Sequence, residues 1–351
     1  MPSISGWASG EPVASADINA FLLRGNRNAI INGDMRVNQR GVTSATDDTY
    51  ALDRWTVLSD AATITVAQST VAPSDGKYSF ALTPSTTNKK FGIIQYIENL
   101  NCTGMWGQTV TLSFKAKVSG TTNLSNIKAG LLSWSSTADS LTSDVVSAWN
   151  ASGTTPTLIT NWTFENTPSN LGVTTSWATY RVQGVIDTVN AANVAAFIWC
   201  DTTSATSSDT LYITDVQCEI GTIATPFERR SMADELVRCQ RYYEDSVTAI
   251  MAVGSYAAAL GGNTYSTSTF FKVTKRIAPT TINGANDVVG NIRIWNNAGT
   301  AGSVSLYRGG WVTTSTMTMD WYGTWGFNLT STGSTTDAAL AAFRYAYSAE
   351  L

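Results

Sequence analysis

The chain has 351 residues, 43% of them hydrophobic, and carries 22 basic against 26 acidic side chains for a formal net charge of −4. That length holds two or three domains with filled cores, and so small a negative charge leaves no electrostatic footprint for nucleic acid or anionic lipid. Histidine is absent, which excludes Ser–His and Cys–His nucleophile activation and most catalytic zinc centres. Charged residues make up only 14%. Threonine, serine, glycine and asparagine take their place, as in many-stranded, shell-like proteins, and such a surface suits contact with sugars. Nowhere do 18 apolar residues run together, and "MPSISGWASG" lacks the basic and apolar regions of a leader, so no membrane insertion is expected.

In chain order, residues 1–30 read as an attachment arm with a short helix. Trp7 stands alone in a Gly/Ser/Pro-rich stretch. Ser15 then caps a turn in which Ile18, Phe21 and Leu22 fall at i, i+3 and i+4, an apolar side that must be covered by its own domain, a sister chain or a docking partner. Residues 31–229 read as strands separated by Thr/Ser/Asn/Gly turns. In "TVTLSFKAKVSG", Val110, Leu112, Phe114, Ala116 and Val118 alternate with Thr111, Ser113, Lys115 and Lys117, the period of a half-buried strand. "YSFAL", "FGIIQYIE", "ATYRVQGVID", "NVAAFIWCD" and "TLYITDVQCEI" behave alike, so the expected fold class is all-β, an antiparallel jelly-roll sandwich. Residues 119–176, with Trp134, Trp149 and Trp162, read as a loose insertion between its strands.

Residues 230–246 predict a linking helix. Ser231 caps it, Asp234 and Glu235 occupy its positive end, and Met232, Leu236, Cys239 and Tyr243 recur as one stripe. Residues 247–351 return to strands as a distal β domain. In "TMTMDWYGTWGF" the alternation places Met317, Met319, Trp321, Trp325 and Phe327 inside, and Asp320 and Tyr322 outside. "AAFRYAYSAEL" reads as a final strand, through Phe343, Tyr345, Tyr347 and Leu351.

Little in the chain points to catalysis. Neither a G-x-x-x-x-G-K-S/T loop nor a dinucleotide glycine fingerprint is present, and no cofactor is expected. A paired-carboxylate hydrolase stays open, because its two acids need only sit roughly 5–9.5 Å apart across a groove. Cys102, Cys200, Cys218 and Cys239 lack C-x-x-C spacing and read as buried thiols. "TDD" at 46–48 lacks EF-hand spacing and reads as a solvated turn, so no metal is expected. With 12 tryptophans and 13 tyrosines, stacking on sugar rings competes with core filling. The Gly-rich turns in "RIWNNAGTAG" and "SLYRGGWVT" nominate Trp295, Asn296, Asn297, Tyr307, Arg308 and Trp311 as glycan-binding residues, with the outward Asp320 and Tyr322.

Two quoted stretches carry a resemblance. "NAIINGDMRVNQRG" at 28–41 followed by "LDRW" at 52–55, and "DVQCEIGTIATPFERRSMADELVRCQRYYED" at 215–245 followed by "VTKRIAPT", together resemble tailed-bacteriophage tail fibre or receptor-binding virion proteins. "GEPVASADINAFL" at 10–22 looks like their amino-terminal attachment segment. The resemblance implies a homotrimer exposed on the virion, with jelly-roll modules similar to carbohydrate-binding ones. It also implies docking of the arm on a tail adaptor, baseplate or capsid protein, and a distal domain that binds host surface polysaccharide without catalysis. Met232, Leu236 and Tyr243, with Trp7, Ile18, Phe21 and Leu22, are the expected interface residues, packing on the sandwich or around a threefold axis. Asp53 and Arg54 are expected to pair internally at the module's entry. Two rival functions stay open: a capsid decoration or head-fibre protein, and a glycan depolymerase, the latter disfavoured by the lack of a long parallel-β repeat.

Overall fold

A computed structural model describes residues 27–142, 144–188, 191–246, 250–252, 255–256, 264–278, 292–296, 304–307, 311–314, 317–332 and 340–351. Trp7, Ile18, Phe21 and Leu22 therefore lie outside the described residues. The first module is a jelly-roll β-sandwich built from β1 (Ser44–Ala45), β2 (Thr49–Tyr50), β3 (Thr56–Ser59), β4 (Ile64–Ser69), β5 (Ser79–Pro84), β6 (Phe91–Ile97), β7 (Thr109–Val118), β8 (Ile127–Trp134), β9 (Val146–Ala148), β10 (Thr157–Leu158), β11 (Trp162–Phe164), β12 (Ala178–Val185), β13 (Asn193–Cys200) and β14 (Leu211–Ile220). One antiparallel sheet has the order β1-β4-β5-β14-β7-β12 and the other β11-β8-β13-β6-β3-β2, while β9 and β10 pair separately.

The expected alternation along β7 holds. Val110, Leu112, Phe114, Ala116 and Val118 are all fully buried between the sheets. On its other face Thr109, Lys115 and Lys117 keep partial contact with water, whereas Ser113 is buried. Thr111 is covered as well, because its hydroxyl donates to the Gly221 carbonyl at 2.6 Å in the turn that follows β14. All four cysteines are free and buried, and burial pushes the thiols of Cys102 and Cys218 up to about 11 and about 12. They behave as small apolar side chains.

The two signature stretches meet in space. Residues 28–34 run alongside β14: the Asn28 carboxamide donates to Val216 O at 3.0 Å and accepts from Cys218 N at 3.0 Å, and Val216 N donates to Gly33 O at 2.9 Å. A Cβ at Gly33 would lie 2.1 Å from Val216 O, so only glycine permits this approach. Asn32 is the hub. Its side chain holds Val37 and Asp53 backbone groups, its carbonyl accepts from the Trp55 indole at 3.0 Å, and its N–H donates to Glu235. Asp53 and Arg54 find internal partners, although not each other. The Asp53 carboxylate accepts from the Gln39 backbone and side chain, both at 2.6 Å, whereas Arg54 turns towards Tyr96 O and Glu350. These signposts mark a structural joint.

The segment 119–176 is less loose than its composition suggests. β8 is buried along its whole length between β11 and β13 of the second sheet, and the excursion between β8 and β11 stands outside it. That excursion covers the sheet's outer face, where Trp134, Trp162 and Trp199 are buried with Tyr96, Phe197 and Val146. Its composition misleads because serines and threonines fill the turns between a few apolar anchors.

Linking helix α2 (Met232–Gln240) follows a one-turn helix α1 (Asn99–Cys102). The Ser231 hydroxyl accepts from Asp234 N at 3.1 Å, the expected cap. Leu236 and Cys239 pack against Ile31, Val37 and Tyr242, so this side of the stripe is covered by the chain's own sandwich, while Met232 is exposed. Tyr243 corrects the expected stripe. The helix ends at Gln240, whose carbonyl accepts from Lys275 at 2.5 Å, and Tyr243 opens strand β15 with its ring beneath the Arg40 guanidinium at 3.8 Å.

The distal domain comprises β15 (Tyr243–Asp245), β16 (Ile250–Ala252), β17 (Ser255–Tyr256), β18 (Thr264–Phe270), β19 (Ile292–Asn296), β20 (Val304–Tyr307), β21 (Trp311–Thr314), β22 (Met317–Gly323), β23 (Gly326–Thr332) and β24 (Leu340–Ser348). The terminal strand β24 is central, taking β15 and β16 along one edge and β19 and β20 along the other. A second sheet has the order β17-β18-β23-β22. Phe271, Phe327, Tyr345 and Tyr347 pack between the layers, with the Phe271 and Tyr347 rings stacked at 4.9 Å.

Buried charge lines the junction around α2. Glu98 of the sandwich accepts from Arg241 and from the Tyr242 hydroxyl, both at 2.7 Å, while Lys275 of the distal domain donates to the Gln240 carbonyl of α2 and sits 2.5 Å from Glu244, with both side chains fully buried. Burial alone would raise the Glu98 carboxyl, but the bonds from Arg241 and Tyr242 outweigh it and hold it below its usual value. A depressed folded-state value means the contribution is present above the unfolded value of about 4.3 and is lost as pH falls through the lower folded one. The expected outcome is a melting-temperature gap between wild type and Glu98→Gln that is full at pH 7 and closes on acidification. A gap that widened instead would contradict the assignment.

Candidate functional site

The structure divides the sequence-nominated residues between the two distal sheets. Trp295 and Asn296 lie on β19, at register with Arg344 and Phe343 of β24, and Tyr307 and Trp311 face each other across β20 and β21. Asp320 and Tyr322 belong to the other sheet, on β22. Asn297 and Arg308 lie outside the described residues, as do the side chains of the other six.

One correction concerns alternation along β22. The strand bulges between Asp320 and Tyr322, so that Asp320 stands opposite Asn328 whereas Tyr322 stands opposite the buried Phe327. A bulge inserts an unpaired residue and resets the period of two. Tyr322 therefore leaves the row that Asp320 occupies. Trp325 is the second correction: it does not fill the core. It sits in the two-residue turn Thr324–Trp325 between β22 and β23 and is 51% exposed.

Beside it lies Phe270, 69% exposed, with ring centroids 5.7 Å apart and planes inclined by 34°. Consecutive strand residues point to opposite faces, so once Phe271 enters the core, Phe270 must stand outside. The close approach of β18 and β23 depends on Gly326, where a Cβ would lie 2.3 Å from Thr269 O. Along the same face, Ser268 is paired with Asn328, their side chains in contact at 3.4 Å, and Asp320 follows at the next register position. The result is an aromatic ledge bordered by a hydroxyl and an amide. Rings of this kind stack on the C–H faces of sugars while flanking polar groups hold hydroxyls.

Among the described residues of the sandwich, several aromatic side chains are already engaged. Trp134, Trp162 and Trp199 are core in the sandwich, and the half-buried Trp177 and Tyr212 meet edge-on at 6.4 Å, with Lys117 lying 5.6 Å above the tyrosine ring. Phe270 and Trp325 were missed in the sequence, yet both had a signal. "TFFK" cannot bury two adjacent rings from one strand, and the glycines flanking "TW" in "GTWG" mark a hairpin turn.

The fold and this surface define a β-sandwich protein with an exposed aromatic ledge on a second β domain. No protein-family model and no curated protein matches the sequence. The chain is similar to a solved CBM4 module (15% identity, TM-score 0.31), covering 54% of this chain and 98% of that one, and to TmCBM61 in complex with β-1,4-galactotriose (12%, TM-score 0.30), covering 56% and 100%. It is also similar to the enzymatically active domain of bacteriophage CBA120 tailspike protein 4 (13%, TM-score 0.33), over 56% of this chain. The match spans only 22% of that tailspike's length.

Proposed function

We propose that the chain is a non-catalytic, glycan-binding virion protein of a tailed bacteriophage, a tail fibre in which the sandwich and α2 form the structural body and the distal domain contacts host surface polysaccharide. The single observation that carries the binding assignment is the exposed Phe270–Trp325 pair beside the Ser268–Asn328–Asp320 row. The described polar groups beside the rings are the Ser268 hydroxyl and the Asn328 amide, which suit hydrogen bonds to sugar hydroxyls. The virion placement rests on the signature stretches at 28–55 and 215–245. In this reading the protein is a homotrimer docked through the arm and short helix of residues 1–30, and three shallow sites per fibre raise effective concentration enough for stable adsorption.

The test is a glycan array of bacterial surface polysaccharides probed with wild type and Trp325→Ala. The substitution removes an exposed ring from a turn, so melting temperature is expected to stay unchanged while affinity for the bound glycan falls about tenfold or more. Undiminished binding by the variant would move the site elsewhere. A purified monomer at micromolar concentration by native mass measurement, or shortened polysaccharide after incubation, would overturn the trimeric and non-catalytic parts respectively.

A further inference from the structure

The turn between β1 and β2 was expected to be solvated, yet the structure half-buries it against the excursion that follows β8. Asp47 and Asp48 of the turn and Asp144 of the excursion each offer a carboxylate oxygen, and these atoms all lie within 4.8 Å of one another. Each acid is anchored or enclosed. Ser59 N donates to Asp47 Oδ1 at 2.7 Å and Val146 N to Asp144 Oδ1 at 3.0 Å, which holds both carboxylates in place. Asp48 Oδ1 is buried with no hydrogen-bond partner. Among the described residues none of the three acids forms an ion pair.

An independent observation lies beneath them. Tyr96, on β6, is only 3% exposed, and its hydroxyl is buried without a partner. Its ring lies 5.8 Å from that of Trp162, whose indole N–H donates to Thr142 on the segment that carries Asp144. A buried hydroxyl and a buried carboxylate oxygen left unpaired in one place call for a common partner.

We propose that Asp47, Asp48 and Asp144, with the Tyr96 hydroxyl alongside, form a calcium site that fastens the β8–β11 excursion to the β1–β2 turn. Ligand chemistry selects the ion. The donors are all oxygen, which suits a hard cation; calcium accepts the irregular geometry that two separate loops provide, whereas magnesium demands a near-ideal octahedron and keeps several of its waters. The site is built by packing of two segments distant in sequence, so occupancy holds the cover over the Trp134–Trp162 cluster in place. Trp162 is coupled to it directly: its indole N–H donates to the Thr142 hydroxyl at 3.3 Å, which donates to Asp144 O at 2.7 Å.

Wild type and Asp48→Asn, both stripped with chelator, are compared by thermal melting and tryptophan fluorescence during titration with calcium chloride, and with magnesium chloride in parallel. Saturating calcium is expected to raise the wild-type melting temperature by roughly 5 °C and to change emission, with a much smaller response to magnesium. Asp48→Asn removes one of three mutually repelling charges. Its metal-free melting temperature is therefore expected to equal or exceed that of metal-free wild type, while its calcium response is lost. A wild type indifferent to millimolar calcium, or an Asp48→Asn protein that keeps the full response, would overturn the site. Glycan binding at Trp325 lies on another domain and is not moved by either result.

Discussion

Replacing Asp201 with alanine is expected to destabilise the sandwich by about 3–5 kcal/mol, the range for removing one partner of a buried ion pair. Asp201 follows β13 and is fully buried, with Lys90 Nζ 2.5 Å from one carboxylate oxygen and Lys128 Nζ 2.6 Å from the other. Both lysines also donate into the excursion: Lys90 to the carbonyls of Ala151 and Thr154, Lys128 to that of Gly153. Removing the carboxylate leaves two ammonium groups with carbonyl dipoles but no counter-charge, far from water. Urea unfolding at pH 7 checks the magnitude, and high salt is expected to leave it nearly unchanged, because buried pairs are poorly screened. Changing all three residues together to apolar ones of similar volume is expected to recover much of the loss, as is common for replaced buried ion networks. A loss below 1 kcal/mol would mean that the lysines reach solvent.

This triad illustrates what the sequence conceals. β7, β13 and β14 are legible because apolar side chains recur with period two or in unbroken runs, a signal that depends only on burial. The Ser231 cap is legible for a similarly local reason, since a hydroxyl three residues ahead of an acidic helix start has one favourable use. Lys90, Lys128 and Asp201 are instead separated by 38 and 73 positions of chain. Nothing in a lysine's immediate neighbours distinguishes a buried one from a solvated one. Arg54 shows the same limit: its nearest acid in sequence, Asp53, is committed to Gln39, and its real partner is Glu350.

The candidate site was legible in part. Asp320 was nominated because alternation along β22 placed it outward; its backbone stands in register with Asn328. Trp325 was misplaced because a two-residue turn interrupts the alternation, and the bulge between Asp320 and Tyr322 shifts the register in the same strand; neither leaves a mark on a hydrophobicity pattern. The acidic trio was hidden for the opposite reason. Asp47 and Asp48 were visible as a pair, but the third acid arrives on an excursion 96 residues later, placed by the packing of Val146 and Trp162 on the sheet.

Glu350→Ala is expected to uncouple the two domains. The Glu350 carboxylate pairs with Arg54 and, at 2.8 Å, with Arg40, while the backbone around it is held by Arg276, which donates to the carbonyls of Ala349 and Glu350 at 2.7 Å. Arg54 is fully buried; without Glu350 it retains only the Tyr96 carbonyl at 2.6 Å and the face of the Tyr242 ring at 3.7 Å. A guanidinium cannot shed its charge, so it stays buried and uncompensated, or it pulls away and opens the seam between sandwich, α2 and β24. Either route removes about 3–5 kcal/mol from the joint. In scanning calorimetry the wild-type domains are expected to melt together and those of Glu350→Ala in two steps, because each keeps its own core. Arg54→Met combined with Glu350→Met is expected to melt closer to wild type than Glu350→Ala, since no buried charge is stranded. One unsplit transition at the wild-type temperature for Glu350→Ala would show that the aromatic and backbone contacts hold the seam without the ion pairs.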